Sequence, residues 1–362
     1  MKVVFRVDAS LEMGSGHTMR CLTLADALKT QGHECEFIVR EQPGHLINLI
    51  KSKGYIVRVL PQLYSDLTTD IDEYSHSHWL PCGQQQDSEE TLSALDRSDC
   101  DWLVVDHYGI GAQWEKRLRK VCRHILVIDD LADREHQCDV LLDQNIGRKT
   151  GDYDGLLPHK CLRMIGPQYA LLRPEFVKWR KESLARRVQQ TELRKILISL
   201  GGVDKDNVTG DVLDALEVSS LSDSVELTVV LGQQNPWLEK SQGQAALSRF
   251  DVTVIQGVTN MAEVMSHTDL AIGAAGSTSW ERCCLGLPTV MLVLADNQKG
   301  IAKGLEKARA SIVVGVANIT STIEGLLKDP VEMRLMSERA EAVCDGSGVI
   351  HLINVLERYS ES

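Results

Sequence analysis

Val3-Val4-Phe5-Arg6-Val7-Asp8-Ala9, followed within a few residues by Gly14-Ser15-Gly16-His17-Thr18-Met19-Arg20, is the stretch that decides the fold. A β-branched and aromatic run reads as a strand, and glycines then let the backbone turn tightly into a helix. Strand, glycine turn and helix make the opening unit of a parallel α/β sheet. The same unit recurs at Trp102-Leu103-Val104-Val105-Asp106, a continuous apolar run suited to a strand buried on both faces.

Working outward, strands are expected at 3–9, 34–40, 55–60, 101–107, 124–129 and 139–142, with helices starting near Gly16, Gly44, Ser88 and Gly111. A second series of strands starts at 195–200 and continues at 225–231, 251–256, 270–273, 289–294 and 311–314. The turn-rich Gly147–Gly155 and the charged, helical 171–187 fall between the two series. The spacing therefore predicts two doubly wound, Rossmann-like α/β domains, 1–165 and 191–348, with a connector at 166–190. The last helix, within 349–362, is expected to pack back on the first domain. Ligands of open parallel sheets bind beyond the carboxyl ends of the strands, so two such domains put the useful cleft between them.

Composition narrows the function. The chain has 362 residues, which suits two domains, and 39 Lys+Arg against 51 Asp+Glu give a net charge of −12. That balance, without a basic block, argues against nucleic acid as a partner. Any anionic ligand must be held by backbone amides and a few placed cations. No run approaches the ~20 apolar residues that span a bilayer, so no membrane insertion is expected. Arg6 and Asp8 interrupt the opening where a signal peptide needs an apolar stretch, and a cytoplasmic protein is expected. The 10 cysteines are scattered without a Cys-x-x-Cys pair and are expected to be free thiols.

Four stretches after strand ends could carry chemistry. In the first, Gly14, Ser15 and Gly16 free amides for an anion or a sugar oxygen, and His17 falls in the first helical turn. The positive end of the helix macrodipole disfavours imidazolium there, and a neutral imidazole is what a general base needs. The same spacing also fits an ordinary tight turn with His17 as a packing residue. The second is Asp106-His107-Tyr108-Gly109, where Tyr108 can hold a water or cover a sugar ring and Asp106 can orient a neighbour; a satisfied strand terminus reads equally. The third, Gly201-Gly202 through Asn207, is another glycine turn into a helix. The fourth runs from Gln256-Gly257-Val258-Thr259-Asn260-Met261 to Gly276-Ser277-Thr278-Ser279-Trp280-Glu281. Glu281 could accept from both hydroxyls of a ribose, or simply favour a helix N-terminus.

Together and in this order, these stretches resemble the family of pseudaminic-acid pathway hydrolases, PseG, over nearly the whole length. Phe5-Arg6-Val7-Asp8, Gly14-x-Gly16-His17-x-x-Arg20, Asp106-His107-Tyr108-Gly109-Ile110, Tyr169-Ala170-Leu171-Leu172-Arg173-x-Glu175-Phe176 and Gly201-Gly202-x-Asp204 carry the likeness. The second half is similar to the nucleotide-binding half of MurG-type glycosyltransferases. The resemblance implies a two-domain, GT-B-like fold and cleavage of UDP-2,4-diacetamido-2,4,6-trideoxy-β-L-altropyranose with inversion. Such enzymes serve bacterial surface glycans, flagellin glycosylation among them. It implies His17 as the base that activates water and Tyr108 as its helper. Asp8, Gly14, Ser15, Gly16 and Arg20 would line the sugar side. Gly201, Gly202, Gly276, Ser277, Thr278 and Ser279 would hold the diphosphate, Glu281 the ribose, the backbone of Ile255, Gly257 and Val258 the uracil, and Asn260-Met261 completes that set. Trp280 departs from the pattern, because a bulky indole stands where a small or amide residue is expected.

The partners so implied are a UDP-sugar and its product UDP, with no cofactor. No metal is expected either. His76-x-His78 lies in a polar loop, Asp129-Asp130 ends a strand and Asp99-x-Asp101 flanks another, while helix N-termini and amides can compensate the diphosphate.

Overall fold

The computed structural model describes residues 1–62, 75–95, 100–190, 192–202, 204–233 and 235–361. Residues 63–74 of the stretch 61–86, which is rich in Ser, His, Gln and Pro, therefore lie outside the described residues, together with Asp99 and Val203.

The chain divides into two compact units, Met1–Leu171 with Gly348–Ser362, and Leu172–Ser347. In the first, seven parallel strands run in the order β3-β2-β1-β4-β5-β6-β7. They are β1 (Lys2–Val7), β2 (Glu34–Arg40), β3 (Ile56–Leu60), β4 (Cys100–Asp106), β5 (Cys122–Ile128), β6 (Val140–Asp143) and β7 (Leu162–Ile165). The second unit holds six, β8 (Lys195–Ser199), β9 (Glu226–Leu231), β10 (Asp251–Gln256), β11 (Leu270–Ala274), β12 (Thr289–Leu292) and β13 (Ser311–Val313), in the order β10-β9-β8-β11-β12-β13. Both sheets reverse direction of growth at the first strand, which puts the ends of β1 and β4, and of β8 and β11, side by side.

The central strands are apolar on both faces because helices cover both. Val3 and Phe5 face one core with Leu22, Leu24 and Leu28, while Val4, Leu103 and Val105 face the other with Trp114 and Leu118. Arg6 breaks this run and is still fully buried. It is tolerated because Asp8 and Asp87 take its donors, at 2.6 Å each.

The structure departs from the expectations at four points. The strand β7 was not expected; four residues between Gly and Pro turns carry no clear alternation. The helix expected near Ser88 starts at Gly83, and the connector divides, with Pro167–Tyr169 in the first unit and the helix Pro174–Val188 in the second. Pro174 stands at the first helical position, where its missing N–H costs nothing. The cysteines are not all free: Cys100 and Cys122 sit opposite each other on β4 and β5, Cα atoms 4.9 Å apart, and are joined as a disulfide. Their pairing follows from strand register, which scattered positions in the sequence do not display.

The helix Gly348–Ser360 returns to the first unit, burying Val349, Leu352, Ile353 and Leu356 in the core of Val3 and Phe5. The Trp102 indole N–H donates to Leu356 O at 3.1 Å. Leu352→Ala should therefore cost the first unit about 2–5 kcal/mol, read as a lower urea midpoint for that unit's transition. An unchanged midpoint would mean this helix is not part of that core.

Candidate active site

At the end of β1 the chain makes a tight turn, with Gly14 in the left-handed region at φ 74° and its N–H donating to Ser10 O. The helix Gly16–Thr30 follows, with Ser15 as its N-cap and no side-chain cap. The first turn thus presents free amides beside exposed Ser15 and Gly16. One turn in, His17 and Arg20 point back at the end of β4 and are buried.

There they meet Asp106. His17 Nδ1 lies 2.6 Å from Asp106 Oδ1, and Arg20 Nε and Nη2 donate to Asp106 Oδ2 and Oδ1, each at 2.6 Å. Burial alone would raise the Asp106 pKa, but the Arg20 and His17 charges hold it well below the usual carboxylate range. An ionised Asp106 carries no proton, so the hydrogen in the short contact belongs to His17 Nδ1. Nε2 is then the basic nitrogen of the neutral ring. The helix terminus expected to govern His17 is thus joined by a carboxylate whose charge Arg20 already balances.

Arg20 also reaches the end of β5, its Nη1 2.7 Å from Asp130 Oδ2. The same oxygen accepts from Tyr108 OH at 2.6 Å. Burial and Asp130 push the Tyr108 phenol well above its ordinary value, so it keeps its proton. Its ring meets that of His17 edge-on at 4.5 Å. His17, Arg20, Asp106 and Tyr108 are therefore brought together.

Asp8 is not presented to a ligand as expected. Fully buried, it accepts from Arg6 Nη1 and from Arg40 N at 2.8 Å, and its other oxygen lies 3.3 Å from His107 Nε2. His107 Nδ1 accepts from Gly109 N. Burial pushes the His107 pKa down, which fits a neutral ring shaping the loop that carries Tyr108.

The acid pair considered for a metal is occupied by protein groups. Asp129 takes Arg134 Nη1 at 2.9 Å and the hydroxyl of Tyr153 at 2.8 Å, and Asp130 takes Arg20, Tyr108 and Asn145. Asp101 accepts from Lys2 N.

Sequence reading missed the aromatic company of Tyr108. The short turn Ser77–Trp79 stacks Trp79 on Tyr108, with centroids 5.3 Å apart and planes 15° apart, and His76 meets both rings. His78 instead contacts Glu12. The one signal was an isolated tryptophan in a Ser-, His- and Gln-rich stretch.

In the second unit, Gly201 (φ 100°) and Gly202 follow β8, while Gly276 and Ser277 follow the neighbouring β11. The two turns thus rise from adjacent central strands. Gly232, at the end of β9, has to be glycine because a Cβ would run into the Gly202 backbone. Asp204 caps the next helix, accepting from Val208 N and Thr209 N. Ile255, Gly257 and Val258 end the edge strand β10 and are half-buried, followed by exposed Asn260, whose amide donates to Glu263, and by half-buried Met261. Ser277 is exposed, Thr278 half-buried and Ser279 buried. Glu281 lies 3.5 Å from Arg173 Nη2, and burial pushes its pKa up. Trp280 is turned fully inward.

Residues 197–348 match the Glycosyltransferase family 28 C-terminal domain. The UDP-2,4-diacetamido-2,4,6-trideoxy-β-L-altropyranose hydrolase of Campylobacter jejuni is 26% identical over 308 residues, covering 85% of this chain and 97% of that one. The chain is PseG-like. It is also 28% identical over 310 residues to the uncharacterized protein MJ1062 of Methanocaldococcus jannaschii, covering 83% of this chain but only 57% of that relative. The crystal structure of Acinetobacter baumannii MurG superposes with a TM-score of 0.70 at 16% identity, covering 99% of each chain. The fold is accordingly GT-B-like.

A titratable group beside Asp130 gives a pH test. Burial and the Asp130 carboxylate push Asp143 up to about 6, against an ordinary 3.8. The folded chain holds a proton there that the unfolded chain releases. This contribution to stability is present at low pH and is lost as pH rises from about 4 to about 6. Asp143→Asn should flatten the melting temperature across that interval relative to wild type. An identical pH slope in both proteins would show that Asp143 does not hold the proton.

Proposed function

We propose that this chain is an inverting nucleotide-sugar hydrolase acting on UDP-2,4-diacetamido-2,4,6-trideoxy-β-L-altropyranose in bacterial surface-glycan biosynthesis. The observation that carries the reading is His17 Nδ1 at 2.6 Å from an Asp106 held by Arg20. A neutral histidine with its tautomer set this way is a general base. The likeness to the Campylobacter hydrolase supplies the substrate.

In the proposed step, His17 Nε2 takes a proton from water as the water oxygen bonds to the anomeric carbon. The anomeric C–O bond breaks on the opposite face, and its electron pair leaves on the β-phosphate oxygen of UDP. UDP and 2,4-diacetamido-2,4,6-trideoxy-L-altrose result. A single displacement inverts the centre. No general acid is needed because UDP is already a good leaving group, unlike the two-carboxylate arrangement of most glycosidases. Asp106 and Arg20 act through His17, and Tyr108 closes the base's flank. The turns at Gly201-Gly202 and Gly276–Ser279 take the diphosphate, Glu281 the ribose and the end of β10 the uracil.

A second reading, a UDP-sugar glycosyltransferase in which His17 deprotonates an acceptor hydroxyl, is favoured by the family 28 match and the MurG-like fold. Incubation with the UDP-sugar alone separates the two. Proton NMR should show free sugar, the inverted anomer first, and UDP without any acceptor. Strict acceptor dependence would establish the transferase instead.

His17→Ala should leave UDP binding intact and lower turnover by roughly 10²–10⁴. Asp106→Asn should also lower kcat at unchanged UDP affinity, since an amide does not hold the Nδ1–H tautomer. Near-normal turnover of His17→Ala removes the base from the mechanism. Turnover should persist in EDTA, because amides and side chains compensate the diphosphate. Loss on chelation, restored by Mg²⁺ or Mn²⁺, would point to Asp129 and Asp130.

A further inference from the structure

Arg282 is buried directly under the turn that follows β11. It is 2% exposed. Its Nη2 donates to Ala274 O at 2.7 Å and Ser279 Oγ at 3.0 Å, and its Nη1 donates to Thr278 Oγ1 at 3.2 Å. Every one of these acceptors is uncharged, and the buried Nε has no partner. Gly273 makes room for the group, because a Cβ there would stand 2.5 Å from Nη1.

Most other buried arginines among the described residues are answered by acids. Arg6 has Asp8 and Asp87, Arg40 has Asp87 and Glu90, and Arg134 has Asp129 and Asp133. Arg187 has no bonded acid either, but its three donor nitrogens are taken by the carbonyls of Leu285, Thr268 and Met265. Beside Arg282, the adjacent Glu281 pairs with Arg173, and its charge acts on Arg282 only through space, without a hydrogen bond. Burial pushes Arg282 down to about 10, so the guanidinium is still charged at neutral pH. A buried cation without a counterion costs free energy unless something supplies one.

We propose that Arg282 is a charge-compensating residue whose missing counterion is the diphosphate of a bound uridine nucleotide. The proposal rests on the reading of the second unit as the nucleotide-binding one. The helix Thr278–Cys284 has only seven residues, so the local positive potential comes from the side chain beneath the turn. Arg282 acts through the Ala274–Ser279 turn, whose carbonyl and hydroxyls it fixes while its charge reaches the ligand. A chain of net charge −12 needs such a local source to hold an anion without a metal.

Calorimetric titration of UDP, UMP and uridine tests this on wild type, Arg282→Met and Arg282→Lys. Arg282→Met should weaken UDP by about 10–100-fold and UMP less, and should leave uridine within about twofold. Arg282→Lys should recover most of the UDP affinity. An equal loss on all three ligands, or UDP affinity unchanged in Arg282→Met, overturns the proposal. Wild type that binds UDP no better than uridine overturns the nucleotide reading of the unit instead. Should Arg282→Met fail to fold, NMR of wild type decides. The arginine Nε–H resonance that Arg282→Lys lacks should shift with UDP and not with uridine. A resonance indifferent to UDP counts against the proposal.

Discussion

One guanidinium, that of Arg20, ties together everything around His17. It spans Asp106 at the end of β4 and Asp130 at the end of β5, and it rises from the same helical face as His17 one turn earlier. Without it, two carboxylates would stand beside one buried histidine with no fixed cation between them. Asp106 would then turn toward its protonated form and cease to fix the imidazole tautomer. Buried ion pairs are poor evidence of net stability, because desolvation offsets the attraction, while removing one partner costs about 3–5 kcal/mol. The value of Arg20 therefore lies in geometry, fixing which nitrogen of His17 is basic and where Tyr108 sits.

The sheet ends make this possible. In a parallel sheet with β1 beside β4, residues just past the two strands are close neighbours despite the sequence between them. His17 and Asp106 are 89 positions apart and share a hydrogen bond. A second ionic group lies deeper, where Arg6, Asp8, Asp87 and Arg40 interlock at 2.6–2.7 Å. It joins β1 and β2 to the helix Gly83–Leu95. Asp8 thus joins the deeper ionic group and Asp106 the cluster around His17, although both carboxylates lie at the ends of adjacent strands.

That distinction marks how far the sequence could be read. Periodicity and turn residues located twelve of the strands and the glycine turns, because local propensity and burial agree there. β7 was missed because four residues carry too little pattern. The Cys100–Cys122 pair depends on register, a property of two strands rather than of either alone. His17, Arg20 and Tyr108 were legible because each follows a strand end in a recognisable motif. Asp106 was legible too, but the roles of Asp130 and Trp79 were not, since these come from remote segments that only the fold brings in. The burial of Asp8 was hidden for the same reason: position after a strand says where the Cα is, not which way the carboxylate turns.

Arg282 carries that lesson into the second unit. In sequence it is one charged residue in a helical run, adjacent to the glutamate that drew attention. The fold turns Glu281 to Arg173 and sends Arg282 inward, beneath the turn after β11. The two units thus handle charge in opposite ways. The first surrounds its buried cations Arg6, Arg20, Arg40 and Arg134 with acids. The second leaves Arg282 without a bonded acid and with its buried Nε unpartnered, which suits an anion that arrives from outside. A fold that spends buried carboxylates on Arg6, Arg20, Arg40 and Arg134 but none on Arg282 has kept one positive charge for a ligand.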